Sequence, residues 1–338
     1  MEHSSQTPRS RSWFFRAIAA VVAVYVVVIL ALMWWWDYEP PHFDVAATAQ
    51  MRVAAKNEKL VTGSVLVSTL IGCTETLLDK RGGYLSNDKF PPGVLMDNVP
   101  NWEFGVLVAT RDLADVMRNE FSRSQTQSTE DADLKEAAPL FNSPNDRWLL
   151  PSSERQYRKA IGYVDNYLTR LADNNTQDAQ FFARADNLAD YLQTVSTRLG
   201  SLSQRLSASV GQERIDTDLA GDANAAQSTP TSSPRLVKTP WLQIDDNFYE
   251  ARGYTWALRE QLEAIRIDFG PVLRDKNAMI SLEQVIRELH ESQNPLGSPM
   301  VLNGSPFGFF ANHSLVMANY ISRANAAVID LRELLRRG

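Results

Sequence analysis

From Ala17 to Trp36 the chain runs through 20 residues without a charged side chain, most of them Ala, Val, Ile, Leu or Trp. A helix rises about 1.5 Å per residue, so this run covers about 30 Å, the hydrocarbon thickness of a bilayer. Arg9, Arg11 and Arg16 stand ahead of it, while Asp37 and Glu39 follow. The preference of Arg and Lys for the cytoplasmic side then predicts a single-pass inner-membrane protein with its N-terminus in the cytoplasm. Arg16 and the cluster Trp34, Trp35 and Trp36 are expected at the two membrane interfaces, where long cations and indole rings settle. A secretory signal would have a shorter apolar region followed by small residues. Three Trp occupy that place, so the segment reads as an uncleaved anchor.

Topology divides the charge. Residues 1–16 carry three Arg and one Glu, which leaves 31 basic and 39 acidic groups, net −8, for the part beyond the anchor. An acidic domain has no general attraction to nucleic acid, so no nucleic-acid partner is expected. Beside an anionic membrane it is expected to be held off the surface, with Pro40 and Pro41 stiffening the exit. The single Cys73 cannot close an internal disulfide, and four His leave little for a zinc site. No metal and no cofactor is predicted.

Past residue 57 apolar residues recur every three or four positions, the spacing of one helix face. In Phe181, Ala185, Leu188, Leu192, Val195, Leu199, Leu202 and Leu206 the gaps of four and three alternate as in a coiled-coil seam. Tyr157, Ile161, Val164, Leu168 and Leu171 precede it across Asp173-Asn174-Asn175, so these two segments are expected to form an antiparallel hairpin. The seam can close within one chain or between two. A last helix carries Met317, Ile321, Ala324, Val328, Leu331 and Leu335. The uncharged run Leu60–Thr74 is too short and too rich in Ser, Thr and Gly for a second span, and reads as a core helix. Its Leu70-Ile71-Gly72-Cys73 has the form of a lipoprotein box in the wrong place. The expected organisation is a cytoplasmic tail 1–16, a transmembrane helix 17–36, a juxtamembrane segment 37–56, helical halves 57–210 and 241–338, and a Pro- and Ser-rich flexible linker 211–240. The fold class is all-α, an anchor followed by an elongated periplasmic bundle of six or seven helices with long aromatic loops rich in Gly and Pro.

Those loops, 81–104 and 294–313, mix Gly and Pro with large apolar residues that need burial against the bundle or a partner. They supply the candidate binding surface: Tyr84, Asp97, Trp102, Glu103, Phe307, Phe309, Phe310 and His313, with Arg111 close by. Asp97 and Glu103 flank Trp102, and paired carboxylates beside an aromatic can cleave a glycosidic bond, which makes a peptidoglycan hydrolase, or its regulator, the alternative function. Arg111 and Asp115, four apart, are expected to pair on a helix that begins near Asn101. Ser86-Asn87-Asp88-Lys89 matches the Ser-x-x-Lys pattern, but its companion motifs are missing. Thr129 ahead of three acids reads as a helix cap, with Arg118 and Arg123 available for an anion. No catalytic residue is assigned.

The anchor with its Trp cluster, Arg81-Gly82-Gly83-Tyr84-Leu85-Ser86-Asn87-Asp88, the run from Asp97 to Leu107, Ser122-Arg123-Ser124-Gln125 and Gly308-Phe309-Phe310-Ala311-Asn312-His313-Ser314 together resemble a proteobacterial single-pass inner-membrane family catalogued as a domain of unknown function. The resemblance implies a periplasmic domain and brings no activity. The function expected is a non-enzymatic binding or scaffold module of the cell envelope, with an envelope protein or a second copy of the chain as partner.

Overall fold

The uncharged run after residue 60 forms α3 (Ser64–Asp79), and every residue from Ser64 to Thr74 is buried. Three of its hydroxyls are met within the helix: Thr69, Thr74 and Thr76 donate to the carbonyls of Val65, Leu70 and Gly72, each at 2.8 Å. The helix is therefore wrapped by protein, as expected of a core helix. Around it pack α2 (Val45–Ala55), α4 (Asn98–Val116), α6 (Ser153–Ala172) and α8 (Ile244–Asp268). The computed structural model describes residues 9–123, 129–173, 178–214, 235–298 and 300–337, and all that follows concerns those residues.

The α4 and α8 helices run parallel. Asn101 meets Asp246 at 2.6 Å near their starts, and further along Gln261 donates to the Ala109 carbonyl at 3.1 Å. Two glycines allow the backbones to touch. A Cβ on Gly105 would lie 2.0 Å from the Glu250 carbonyl oxygen, and one on Gly253 1.9 Å from that of Trp102. Sequences on both sides of residues 211–240 thus contribute to one continuous hydrophobic core.

The heptad-like seam is real, but its partner is remote. Leu188, Leu192, Val195, Leu199, Leu202 and Leu206 of α7 (Ala185–Ser207) are buried, as is the matching series from Met317 to Leu335 on α11 (His313–Arg336). These two helices pack antiparallel, with Ser203 reaching the Ala318 carbonyl at one end and Arg332 meeting Gln193 at the other. The expected hairpin with α6 does not form, because α6 spends its apolar face on α3 and on α5 (Ala132–Phe141). Sequence neighbours pair often, not always. The seam closes within one chain.

Several further expectations change. Beyond α1 (Arg9–Trp36) there are ten α-helices among the described residues rather than six or seven, α9 (Gly270–Asp275) and α10 (Met279–Glu291) completing the set. The 211–240 segment begins and ends in short strands, β1 (Gln212–Arg214) and β2 (Arg235–Val237), paired antiparallel with Glu213 opposite Leu236. The cap of α5 is Asp131, which accepts from the amides of Asp133 and Leu134, and not Thr129. The turn expected at Asn174-Asn175 and the Ser124-Gln125 run lie outside the described residues.

The C-terminal end of α1 is held by the turn that follows α3. A Cβ on Gly82, whose φ is +84°, would stand 2.7 Å from the Trp36 ring. The Arg81 guanidinium lies 4.3 Å from the Trp35 ring centre and 4.0 Å from that of Tyr38, a cation over two aromatic faces. Trp13–Trp36 is long and apolar enough to cross a membrane, and its most apolar stretch is wholly unburied. The starts of α4, α6, α8 and α11 and the ends of α3, α5, α7 and α10 gather at this same pole, as Arg158–Asp79, Arg205–Glu250 and the contacts above require.

Candidate functional site

The segment that leaves α1 is strapped across α8 by side chains of opposite character. Glu39 receives Arg252 through two hydrogen bonds of 2.7 and 2.5 Å, and the Pro40 carbonyl accepts from Trp256 Nε1 at 3.1 Å. His42 Nδ1 faces Glu260 Oε1 at 2.5 Å, while its ring stacks on Trp256 with centroids 5.8 Å apart and planes 15° from parallel. Arg252 is 5% exposed and also donates to the carbonyls of Ser292, Gln293 and Asn294. A cation at these last carbonyls answers both the C-terminal dipole of α10 and its unpaired acceptors. One guanidinium thereby ties the segment after α1, α8 and the start of the second aromatic loop together.

These straps leave a cavity of about 580 Å³ between residues 37–42, Val99 and Trp102 of α4, Tyr249, Arg252 and Trp256 of α8, and His290 with 293–298. Its floor is aromatic, with Trp102 and Trp256 5.3 Å apart and tilted by 60°. Trp102 Nε1–H is buried and has no acceptor among the described residues. A buried donor left so is costly in a closed core, and a ligand carbonyl would relieve it. At the mouth, burial first and then the neighbouring carboxylates Glu39 and Asp97 hold the Asp37 carboxyl above the ordinary range. Glu39 is already neutralised by Arg252, which leaves Asp37 and Asp97 as the carboxylates that would attract a cation there.

The structure separates the residues singled out from the sequence. Trp102 is 1% exposed and belongs to the cavity floor and core, not to an open surface. Glu103 is fully buried, on the second turn of a helix that starts at Asn98 rather than near Asn101. It pairs with Lys80 and accepts from the amides of Leu85 and Ser86, both at 2.8 Å, and from Ser86 Oγ at 2.5 Å. With every lone-pair direction engaged, Glu103 is an anchor for the 84–86 turn, and the Ser86 hydroxyl is committed to it. Asp97 is exposed and caps α4 through the Asn98 amide at 2.9 Å. The two carboxylates flanking Trp102 are thus a cap and a buried ion-pair partner, an arrangement unlike an acid and nucleophile opposed across a cleft.

Arg111 does not pair with Asp115. It donates to the carbonyls of Phe141 and Ser143 at 2.8 and 2.7 Å, closing the end of α5, while Asp112 takes Arg198 in two bonds of 2.9 Å. Arg118 is paired with Glu130. Tyr84 is buried, edge-on to Tyr157, and its hydroxyl donates to the Asn145 carbonyl at 3.0 Å. His313 opens α11 and joins both ends of its loop: its amide donates to the Leu302 carbonyl at 2.8 Å, and its Nδ1 accepts from the Leu302 amide at 3.0 Å. Burial lowers its pKa. Phe307, Phe309 and Phe310 are exposed, as are Trp34, Trp35 and Arg16, whereas Trp36 packs on Gly82. The two aromatic loops therefore contribute to one cavity through Val99, Trp102 and 294–298, while their most exposed members lie outside it.

Residues 8–338 match the family described as an uncharacterized protein conserved in bacteria, DUF2333. The chain belongs to this family. No curated protein and no solved structure matches it. What is particular to this DUF2333 chain has to be read from the site itself. The groups that build it, Glu39, His42, Arg252, Trp256 and Glu260, escaped the sequence reading because 213 or more residues separate the partners of each strap. Residue type gave no trace of them either, because charged side chains recur along the whole of α8 and nothing marks Arg252 and Glu260 as the buried ones. Among the described residues no group of three or more His, Cys, Asp and Glu is arranged to hold a metal ion.

Proposed function

We propose that this DUF2333 protein is a single-pass inner-membrane protein, N-terminus in the cytoplasm, whose helical bundle stands in the periplasm and acts as a non-enzymatic binding module of the cell envelope. Its site is the cavity at the foot of the bundle, and its partner is a segment of an envelope protein presenting a cationic side chain beside an apolar one. The observation that carries this reading is the cavity's composition: an aromatic floor, a buried indole donor without an acceptor, and clustered carboxylates at the mouth, all beside the exit of α1. The Arg ahead of α1 and the Asp and Glu behind it support the orientation.

In-cell photocrosslinking tests it. A photoreactive phenylalanine analogue in place of Tyr249, which is half-buried and lines the cavity, is expected to give a discrete adduct with one envelope protein. The same probe at Glu136, on the exposed face of α5, should not. Adducts confined to the chain itself, or identical at both positions, would refute the reading. Adducts between two copies would show that the occupant is another copy of the chain.

A further inference from the structure

Beyond the cavity, the distribution of exposed apolar side chains is uneven. Past Tyr38, every exposed aromatic side chain among the described residues, namely Phe90, Trp148, Trp241, Phe307, Phe309 and Phe310, belongs to a segment that joins helices at the pole from which α1 leaves. Exposures run from 43% for Trp148 to 102% for Phe307, so these rings are not half-packed core residues. Leu149 and Leu150 follow Trp148 at 60% and 86%. At the other pole, by contrast, exposed apolar residues such as Ile280 occur singly, which is normal for any protein surface.

Part of this apolar pole is continuous with the membrane helix. Leu95 and Met96 share a crevice with Met33 and Trp34, so the 90–96 loop stands beside the last turn of α1. Phe90 of that loop meets Trp148 edge-on at 5.7 Å, which joins the 148–150 tip to it. Neither tip is loosely tethered. Arg111 and Tyr84 hold the 141–145 carbonyls behind the second, and Arg81 clamps the turn ahead of the first to Trp35 and Tyr38. The exposed cations Lys89 and Arg147 flank them, as do the exposed carboxylates Asp97 and Asp146.

We propose that this pole is a lipid-contacting surface: the tips at 90–95 and 148–150 lie in the interfacial zone of the leaflet that α1 leaves, so that the bundle rests on the bilayer instead of standing off it. Large apolar and aromatic side chains bordered by cations are the composition that settles at the boundary of headgroups and acyl chains. The net negative charge of the bundle predicts the opposite, a domain held away from anionic lipid. That objection is met by position and not by charge: the exposed apolar tips stand at the one pole where α1, if it spans, brings lipid within contact distance. The inference rests on α1 spanning the membrane, and its test controls for that separately.

The full chain would be reconstituted in vesicles of phosphatidylethanolamine and phosphatidylglycerol, with one cysteine introduced at a time at Leu149, Leu95, Val27 or Ile280 and carrying an environment-sensitive fluorophore. The native Cys73 is fully buried and stays unlabelled. Lipids with a quenching nitroxide high on the acyl chain are expected to quench positions 149 and 95 severalfold more than 280, with emission shifted to the blue. Position 27 should be quenched most by nitroxides deep in the bilayer. Quenching at 27 with 149 and 95 no different from 280 would overturn the proposal and leave the anchor standing. No quenching at 27 would remove the anchor and the proposal together.

Discussion

Replacing Glu103 by Ala separates the two readings of the residues beside Trp102. In the folded chain the Glu103 carboxylate is fully buried against a Lys80 ammonium whose side chain is 2% exposed, and it accepts from two amides and a hydroxyl. Removing one member of a buried ion pair costs about 3–5 kcal/mol, because the remaining charge stays out of water without a partner. The orphaned amides of Leu85 and Ser86 add to this, each buried unpaired donor costing about 1–3 kcal/mol when nothing relaxes. A combined loss of about 5 kcal/mol or more is expected, a large part of the roughly 5–15 kcal/mol that holds a domain. For a chain of this size that corresponds to a melting point lower by about 10 °C or more. Glu103→Gln keeps an acceptor for the amides and should lose about half as much. In a double-mutant cycle, Lys80→Met with Glu103→Gln should be less damaging than the sum of the single changes by about 1–3 kcal/mol. Thermal unfolding of the detergent-solubilised full chain, followed by helical circular dichroism, measures the parent and all four variants. A Glu103→Ala protein that melts within about 1 kcal/mol of the parent would refute the reasoning, as would an additive cycle. An intact fold with lost turnover on peptidoglycan is what a hydrolase would show.

Three further changes follow from the same geometry. Gly253→Ala should destabilise by about 2 kcal/mol or more even though alanine favours helices by about 1 kcal/mol, because its Cβ would lie 1.9 Å from the Trp102 carbonyl oxygen; a melting curve equal to or above the parent's would contradict this. Asp268, buried at the start of α3 and accepting from the Leu66 amide, has its carboxyl pushed up to about 6 by burial, the amides opposing this. Its folded pKa lies above the unfolded value, so its contribution is complete below about pH 4 and is lost as pH rises through about 6, by about 3 kcal/mol. The stability difference between the parent and Asp268→Asn should change across that window, and a pH-independent difference would be inconsistent. His313 has the opposite sign: burial lowers its pKa, so its support for the 302–313 loop is complete above its ordinary value of about 6.5 and is lost as pH falls through the lower folded value. Protonated Nδ1 cannot accept from the Leu302 amide, so hydrogen exchange at Leu302, corrected for intrinsic rate, should accelerate in acid and do so in the parent but not in His313→Ala.

Much of the architecture was already written in local patterns. The uncharged run announced α1, the Ser- and Thr-rich run announced a buried α3, and gaps of three and four placed α7 and α11 within a few residues, because helical periodicity is a property of one short segment. Pairing is different in kind. Nothing in the α7 series distinguishes α6, α11 or a second chain as the surface that covers it, since all offer the same Leu and Val, and only complementary packing of whole faces chose α11. The candidate carboxylates show the same divide. Residue type made Glu103 a plausible acid, while its chemistry was decided by Lys80 and the 85–86 amides folding onto it. The cavity was least legible of all, because the straps that enclose it join residues 39–42 to 252–260, and a contact across more than 200 positions leaves no spacing to read. Local polarity was enough to place most of the helices and to mark the one that can enter a membrane, since both follow from consecutive residues. Which faces meet, which charges are neutralised and which apolar tips stand beside α1 was settled by the fold, because those depend on where distant segments come to rest.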